Sequence, residues 1–279
     1  MTSSTIAPVT GVRMDPQFFR FDEYDEFDPE RVLDVLRGRR LGVIFRGVIP
    51  LAVQQDLTAR FWNSQGLTRR TGEPSYHVGA YHWNKPVDTY LAETSKVSEQ
   101  VMDVLNCDDS PWHWFRDRMN DRLAGDGARL RTAEMNGEQA CPALVRAWNK
   151  EGEFALEPHE DEAQCRDPRQ AGFEVQRVLD YEVCATNMCI EHEGGGRLVL
   201  WNIRPDDDSR RRFDILHSGF SYPPRTLDGI ERVNVDIRPG DVYVFNGRHV
   251  HAVDATRGNR TAISFLLGFI DEQTVVTWT

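Results

Sequence analysis

Cysteine is sparse in this chain and never paired by spacing. The five cysteines among 279 residues (Cys107, Cys141, Cys165, Cys184, Cys189) are odd in number, scattered and free of any C-x-x-C motif. That argues against a disulfide framework and fits reduced thiols in a cytoplasmic protein. Cys184 and Cys189 sit in an apolar run and are expected in the core. No stretch approaches the roughly 20 apolar residues needed to cross a bilayer, and the opening MTSSTIAPVTGVRMD lacks the apolar segment of a secretory signal. Positive charge is also short: Lys and Arg number 33 against 44 Asp and Glu, for a net charge of −11. Such a chain is poorly suited to a phosphate backbone. Neither a nucleic acid nor a membrane is therefore expected as partner, and a small molecule is. The arginine clusters Arg37, Arg39, Arg40 and Arg210, Arg211, Arg212 read as solvated faces. No internal repeat or low-complexity linker divides the chain.

What is present changes character along the sequence. Residues 1–25 are polar, contain proline and end in the acidic run DEYDEFD, reading as a tail or an arm lying on the domain. Residues 26–279 read as a single domain, with helical support over 26–140 and a β core over 141–279. DPERVLDVL has an Asp cap, a Pro at the first helical position and apolar residues at helical spacing. PLAVQQDLTARFW, VDTYLAETSKVSEQVMDVL and SPWHWFRDRMNDRL repeat the helical pattern, the last with Ser110 placed as N-cap. LGVIFRG reads as a short buried strand. From ALVRAWN onward, short strands alternate with Gly and Pro turns. The expectation is an α+β fold with a mainly β core: a double-stranded β-helix, or jelly roll, with the N-terminal helices packed on one sheet.

Two segments carry chemistry. In EFALEPHED, period-two alternation sets Phe154, Leu156 and Pro158 on one face and His159 and Asp161 on the other. Alone, H-x-D is common and weak. The second segment, RPGDVYVFNGRHVHAVDATRGNRTAISF, carries His249, His251 and Arg260. A four-residue hairpin loop at 256–259 would bring His251 opposite Ser264 and set His251 and Arg260 on one side, about 13 Å apart along the strands. Two His and one carboxylate, with other positions open, suit non-haem Fe(II) with a bidentate co-substrate and O₂. A buried Arg suits that co-substrate's far carboxylate. Two rival readings use the same residues: a zinc hydrolase, and a non-enzymatic cupin-like binding module with His159 and His251 as core residues.

The ordered set RAWNKEGEFALEPHED, HEGGGRLVLWN and PGDVYVFNGRHVHAVDATRGNR resembles the non-haem Fe(II)/2-oxoglutarate-dependent oxygenase superfamily, in its prolyl-hydroxylase-like branch of small-molecule and amino-acid-modifying members. The resemblance spans about residues 142–270. It implies His159, Asp161 and His251, rather than His249, as iron ligands and Arg260 as the 2-oxoglutarate anchor. It also implies Trp148 and Asn187 near the co-substrate, with core packing as the plain alternative for Trp148. The Ser or Thr that the family often carries two residues after the Arg is Ala262 here, with Thr261 or Ser264 as substitutes. Some relatives that halogenate free amino acids replace the metal carboxylate by a small residue. Asp161 is present, which argues for hydroxylation or another oxygen-derived outcome. The implied cofactor is Fe(II), with 2-oxoglutarate and O₂ as co-substrates.

Substrate contacts are expected from two segments. The first, Tyr76 to Lys96, carries Tyr76, His77, Tyr81, His82 and Trp83 and reads as a lid or as a surface loop closing on the core. The second, SRRRFDILHSGFSYPPRTLDG, carries His217, Tyr222 and Arg225. Glu160 and Glu162 flank the metal strand and could meet an amine. The expected substrate is a small polar metabolite, such as a free amino acid or derivative in a biosynthetic pathway.

Overall fold

The computed structural model describes residues 7–70 and 75–279. Two sheets face each other. In the larger, ten-stranded sheet eight strands run from Phe21–Tyr24 through Gly42–Phe45, Val242–Asn246, Cys184–His192, Arg260–Asp271, Leu144–Trp148 and Ser75–Val78 to Thr68–Arg69, and Thr274–Trp278, itself paired with Arg129–Thr132, branches from Arg260–Asp271. The smaller sheet is four-stranded and antiparallel, in the order Phe154–His159, His251–Asp254, Leu198–Trp201, Arg232–Val235.

Alternation explains how one sheet serves two layers. In Cys184–His192, Cys184, Met188 and Ile190 join the core beneath the helices. Ala185 and Cys189 turn the other way, against Leu198, Leu200 and Val235 of the small sheet. Val242 and Val244 likewise face the helices, while Tyr243 and Phe245 face the second sheet. The helices Pro29–Leu36, Leu51–Trp62, Val87–Leu105 and Pro111–Ala124 cover the outer face with apolar stripes. Asp28 caps the first, its carboxylate accepting from the Glu30 N–H at 2.9 Å. Ser110 occupies the cap position of the last, but its side chain makes no capping bond.

Three expectations need correction. The stretch 256–259 does not close a hairpin. His251–Asp254 pairs with Phe154–His159 and Leu198–Trp201, whereas Arg260–Asp271 pairs with Cys184–His192 and Leu144–Trp148 in the other sheet. The chain crosses between sheets here, past Gly258 at φ +94°, where a Cβ would stand 1.9 Å from Glu193 Oε2. The strand Phe154–His159 does not alternate simply either. Irregularities on both sides of Leu156 break the register, and Leu156 faces inward with His159 and Asp161. Residues 1–6 of the expected arm lie outside the described residues. Its remainder is stitched in: Phe21–Tyr24 pairs in parallel with Gly42–Phe45, and Gly11–Val12 pairs with Arg204–Pro205. Finally, Arg210 is not a surface cation but is 2% exposed, for reasons given below. No described helix is long and apolar enough to cross a membrane.

Candidate active site

The space between the sheets holds a cavity of about 180 Å³. On its small-sheet side His159 and His251 are register partners on adjacent strands, with ring centres 4.2 Å apart. Asp161 follows just beyond the strand end, where its N–H donates to the Gly247 carbonyl at 2.8 Å. One ligand atom from each of His159, Asp161 and His251 lies within 4.8 Å of the others.

The local hydrogen bonds prepare these groups. His159 Nδ1 meets the Glu157 carbonyl at 2.8 Å, and His251 Nδ1 meets the His249 carbonyl at 2.9 Å. A carbonyl can only accept, so each Nδ1 carries the proton and each Nε2 keeps its lone pair. Burial holds both imidazoles neutral: it drives His251 down to about 4 and His159 well below the usual histidine range, the latter helped by His251. Gln164 Nε2 donates to Asp161 Oδ1 at 2.9 Å, and Asp161 Oδ2 lies 3.5 Å from His251 Nε2. Burial raises the Asp161 carboxyl to about 7 against the opposing pull of Arg146 and Gln164. A desolvated carboxyl facing two imidazole lone pairs is a donor set for a divalent cation. Gly247 makes room for it, since a Cβ there would stand 2.5 Å from Asp161 Oδ2.

His249 is excluded from this set. Its Nδ1 faces the Trp201 carbonyl at 3.2 Å, and its Nε2 accepts from Arg204 Nε at 3.2 Å, so both nitrogens are used. Phe18 and Phe19 close over its ring.

The large sheet supplies the opposite wall. Arg260 is 3% exposed and donates from Nη2 to the Tyr243 hydroxyl at 2.5 Å, while its buried Nε has no partner. A buried guanidinium with an unused donor calls for an anion. Gly196 lets the arginine stem lie flat, because a Cβ there would meet Arg260 Cδ at 2.6 Å. Asn187, in register between Tyr243 and Ser264, lines the same wall. Trp148 does so too, beside Arg260, and also belongs to an apolar cluster with Ala155 and Val253. Of the substitutes for Ala262, Ser264 faces the cavity, and Thr261 turns away to donate to Glu191 at 2.6 Å.

The other expected substrate residues divide. Trp83 and His82 line the cavity. Trp83 donates from its indole N–H to the Ser218 carbonyl at 3.1 Å and meets the Phe220 ring edge-on, and Phe220 packs edge-on against His159. The two segments expected to touch substrate thus contribute to one cover. His82 is structural: Gln170 at 2.9 Å and the Trp278 indole at 3.3 Å engage its two nitrogens, and burial pushes it down to about 4. Tyr76, His77, Glu160, His217 and Arg225 are not among the lining residues, contrary to expectation. Tyr76 packs on Trp62, His77 stands edge-on to Tyr81, and His217 and Arg225 are exposed. Glu160 is fully buried behind the strand Phe154–His159, bonded to Arg210 Nε at 3.0 Å and to the Ala163 N–H at 3.0 Å. Glu162 pairs there with Arg248 at 2.7 Å and with Arg166 and Arg210. Both carboxylates are therefore committed to internal ion pairs, and neither meets an amine in the cavity.

Sequence reasoning missed Tyr243, Gln164, Phe220 and Arg146. The last had a signal, a lone charge in the apolar strand LVRAW.

A family model described as the carrier-protein-independent halogenase WelO5 matches residues 28–279. The chain belongs to this family. With the WelO5 family it joins the Fe(II)/2-oxoglutarate oxygenases, and it is a dioxygenase that uses Fe(II), 2-oxoglutarate and O₂. The L-isoleucine 3(1)-dioxygenase of Pantoea ananatis (strain AJ13355) is 30% identical over 207 residues, covering 72% of this chain and 69% of that protein. Among solved structures, an N-substituted L-amino acid dioxygenase from Burkholderia ambifaria AMMD matches with a TM-score of 0.62 at 12% identity, over 90% of this chain and 91% of that one. The non-haem alpha-ketoglutarate-dependent epimerase SnoN from nogalamycin biosynthesis matches with a TM-score of 0.50 at 16% identity, over 86% of each chain. These two likenesses are of fold.

Proposed function

We propose that this WelO5-family dioxygenase hydroxylates an unactivated C–H bond of a small amino acid or amino-acid derivative. His159, Asp161 and His251 hold the iron, and Arg260 anchors 2-oxoglutarate. The observation that carries the reading is the convergence of the three donors within 4.8 Å on one wall, facing a buried, under-partnered Arg260 on the other. A zinc hydrolase or a passive binding module would leave Arg260 without a task. In this reading the two facing sheets form the double-stranded β-helix of one oxygenase domain, with the N-terminal helices as its support.

When bound, Fe(II) with 2-oxoglutarate and O₂ supplies the oxidising power. The protein's own part is placement. The backbone carbonyls of Glu157 and His249 fix the imidazole tautomers, and Gln164 fixes the carboxylate. Arg260, braced by Tyr243, holds the far carboxylate of the dicarboxylate, with Asn187 and Trp148 beside it. Trp83 and Phe220 exclude water from above. The relative's name supports an amino-acid substrate, and the aliphatic lining by Leu144, Leu156, Leu198 and Val253 supports one with an apolar side chain. Asp161 supports hydroxylation over halogenation, because its carboxylate fills the place that a halide would need.

The test is a succinate-release screen with Fe(II) and 2-oxoglutarate over free and N-substituted amino acids, with and without chloride. One class should stimulate turnover and gain a single oxygen atom, with no chlorinated product. Absence of 2-oxoglutarate-dependent succinate with every compound would sink the proposal.

A further inference from the structure

The stretch from His159 to Gln164 reads HEDEAQ, and its last residue folds back on its third. After the strand Phe154–His159 the chain passes at once into the 3-10 turn Ala163–Arg166. The start of that turn is pinned. The Asp161 N–H donates to the Gly247 carbonyl at 2.8 Å, and the Ala163 N–H donates to Glu160 Oε2 at 3.0 Å. About three residues complete one turn of this kind, so side chains three apart lie one above the other. Gln164 therefore stands over Asp161. It is 7% exposed, lines the cavity, and donates from Nε2 to Asp161 Oδ1 at 2.9 Å. A carboxylate only accepts, so the amide must present its NH₂ end.

The two oxygens of Asp161 thus have different surroundings. Oδ1 carries the Gln164 amide, whereas Oδ2 is turned to the triad, 3.5 Å from His251 Nε2. Gly247 closes a further side. A Cβ there would stand 2.5 Å from Oδ2 and 3.1 Å from Asp161 Cβ, so bare backbone approaches the carboxylate closely. A carboxylate free to turn can grip a cation with one oxygen or with two. With Oδ1 engaged by the amide, one oxygen is left for the cation. The difference matters to a site that must also take a bidentate co-substrate and O₂, because each extra protein donor fills a position that they need. We propose that Gln164 is a positioning residue that holds Asp161 to one-oxygen ligation and so keeps the metal open to its chelating co-substrate. This rests on the oxygenase reading above and adds to it the residue that limits how many donors the protein gives.

The experiment separates two affinities in the full chain, without O₂ and without turnover. Co(II) is titrated into the wild type and into Gln164→Met, which keeps the length of the side chain and removes its donor. 2-Oxoglutarate is then titrated into each Fe(II)-loaded protein and read from the visible charge-transfer band of the chelate. Co(II) affinity in the variant should stay within about threefold of the wild type or tighten, because the freed oxygen can join the metal. 2-Oxoglutarate affinity should fall about tenfold, the low end of what a hydrogen-bond partner of a metal ligand controls. A residue that only supported the fold would weaken both together, and that result overturns the proposal. So does a variant in which neither affinity changes, or one that loses Co(II) affinity alone. Should Gln164→Met not fold, Gln164→Asn decides by the same two titrations. Its amide stops one methylene short of Oδ1, so the same split supports the proposal and any other pattern overturns it. His159→Ala distinguishes the two levels of the argument. Co(II) binding that is equal in wild type and His159→Ala sinks the oxygenase reading and this inference with it. Binding that needs His159, with no split in the Gln164 variants, removes the role of Gln164 alone.

Discussion

Across one cavity the small sheet presents two neutral imidazoles and a carboxyl, whereas the large sheet presents the guanidiniums of Arg146 and Arg260 with the Tyr243 phenol. In the proposed function the first wall takes a cation and the second an anion. They also differ behind the surface. The large sheet rests on the apolar core under four helices. The metal strand rests on buried ion pairs, Glu160 to Arg210 and Glu162 to Arg248. Three consecutive acidic residues thus share one short segment with opposite fates: the two glutamates are neutralised from behind, and Asp161 alone looks into the cavity. Metal affinity and co-substrate affinity should then be separable by mutation, wall by wall.

The largest effect should come from the cation wall. His251→Ala removes one of three donors, and we expect metal affinity, measured by Co(II) titration, to fall by at least about a thousandfold. His249→Ala, two residues away, should leave the Co(II) titration nearly unchanged and lower the melting temperature, because that ring serves Arg204 and Trp201. The reverse pattern would reassign the ligand.

Next comes the backing of that wall. Arg210→Met strips the cation from Glu160, which is wholly buried. Leaving a buried charge without its partner costs about 3–5 kcal/mol. Urea unfolding should show a loss of that order. A loss below about 1 kcal/mol would mean that the glutamates find other partners and that the ionic backing is dispensable.

The anion wall should respond differently. Arg260→Gln should raise the KM for 2-oxoglutarate about a hundredfold, as expected for a buried charge-assisted pair, while Co(II) affinity without 2-oxoglutarate changes by less than about threefold. Equal losses in both measurements would erase the division between the walls.

Much of this division was legible in the sequence, for identifiable reasons. The helices at DPERVLDVL and VDTYLAETSKVSEQVMDVL announced themselves by periodicity and caps, which are local signals. Motif order pointed to His159, Asp161, His251 and Arg260, and the structure gathers them into one cavity. The route from His251 to Arg260 was not legible. A Gly-containing turn between two strands reads as a hairpin, yet here the chain changes sheets, a long-range pairing choice with no short-range mark. Glu160 and Arg210 misled for the same reason: their partners lie 50 positions apart, so each looked like surface or substrate chemistry until the fold joined them. Tyr243 was read only as a strand residue, because nothing in VYVFN says that one aromatic hydroxyl will meet a guanidinium.

That hydroxyl gives the smallest and sharpest test. Tyr243 accepts from Arg260 Nη2 at 2.5 Å, while its ring stacks near Phe245 on the cavity wall. Tyr243→Phe keeps the ring and removes the oxygen. If the phenol only fills space, co-substrate binding should not change. If it orients the guanidinium, Arg260 keeps its charge but loses one fixed direction, and the KM for 2-oxoglutarate should rise about fivefold, the size of a single net hydrogen bond. The decisive control is the double variant with Arg260→Gln. Where the phenol acts through the guanidinium, removing it from a chain already lacking Arg260 should add little, so the two losses should fall well short of multiplying. Fully multiplicative losses would place Tyr243 in direct contact with the dicarboxylate and make the anion wall a two-donor site rather than one arginine and its brace.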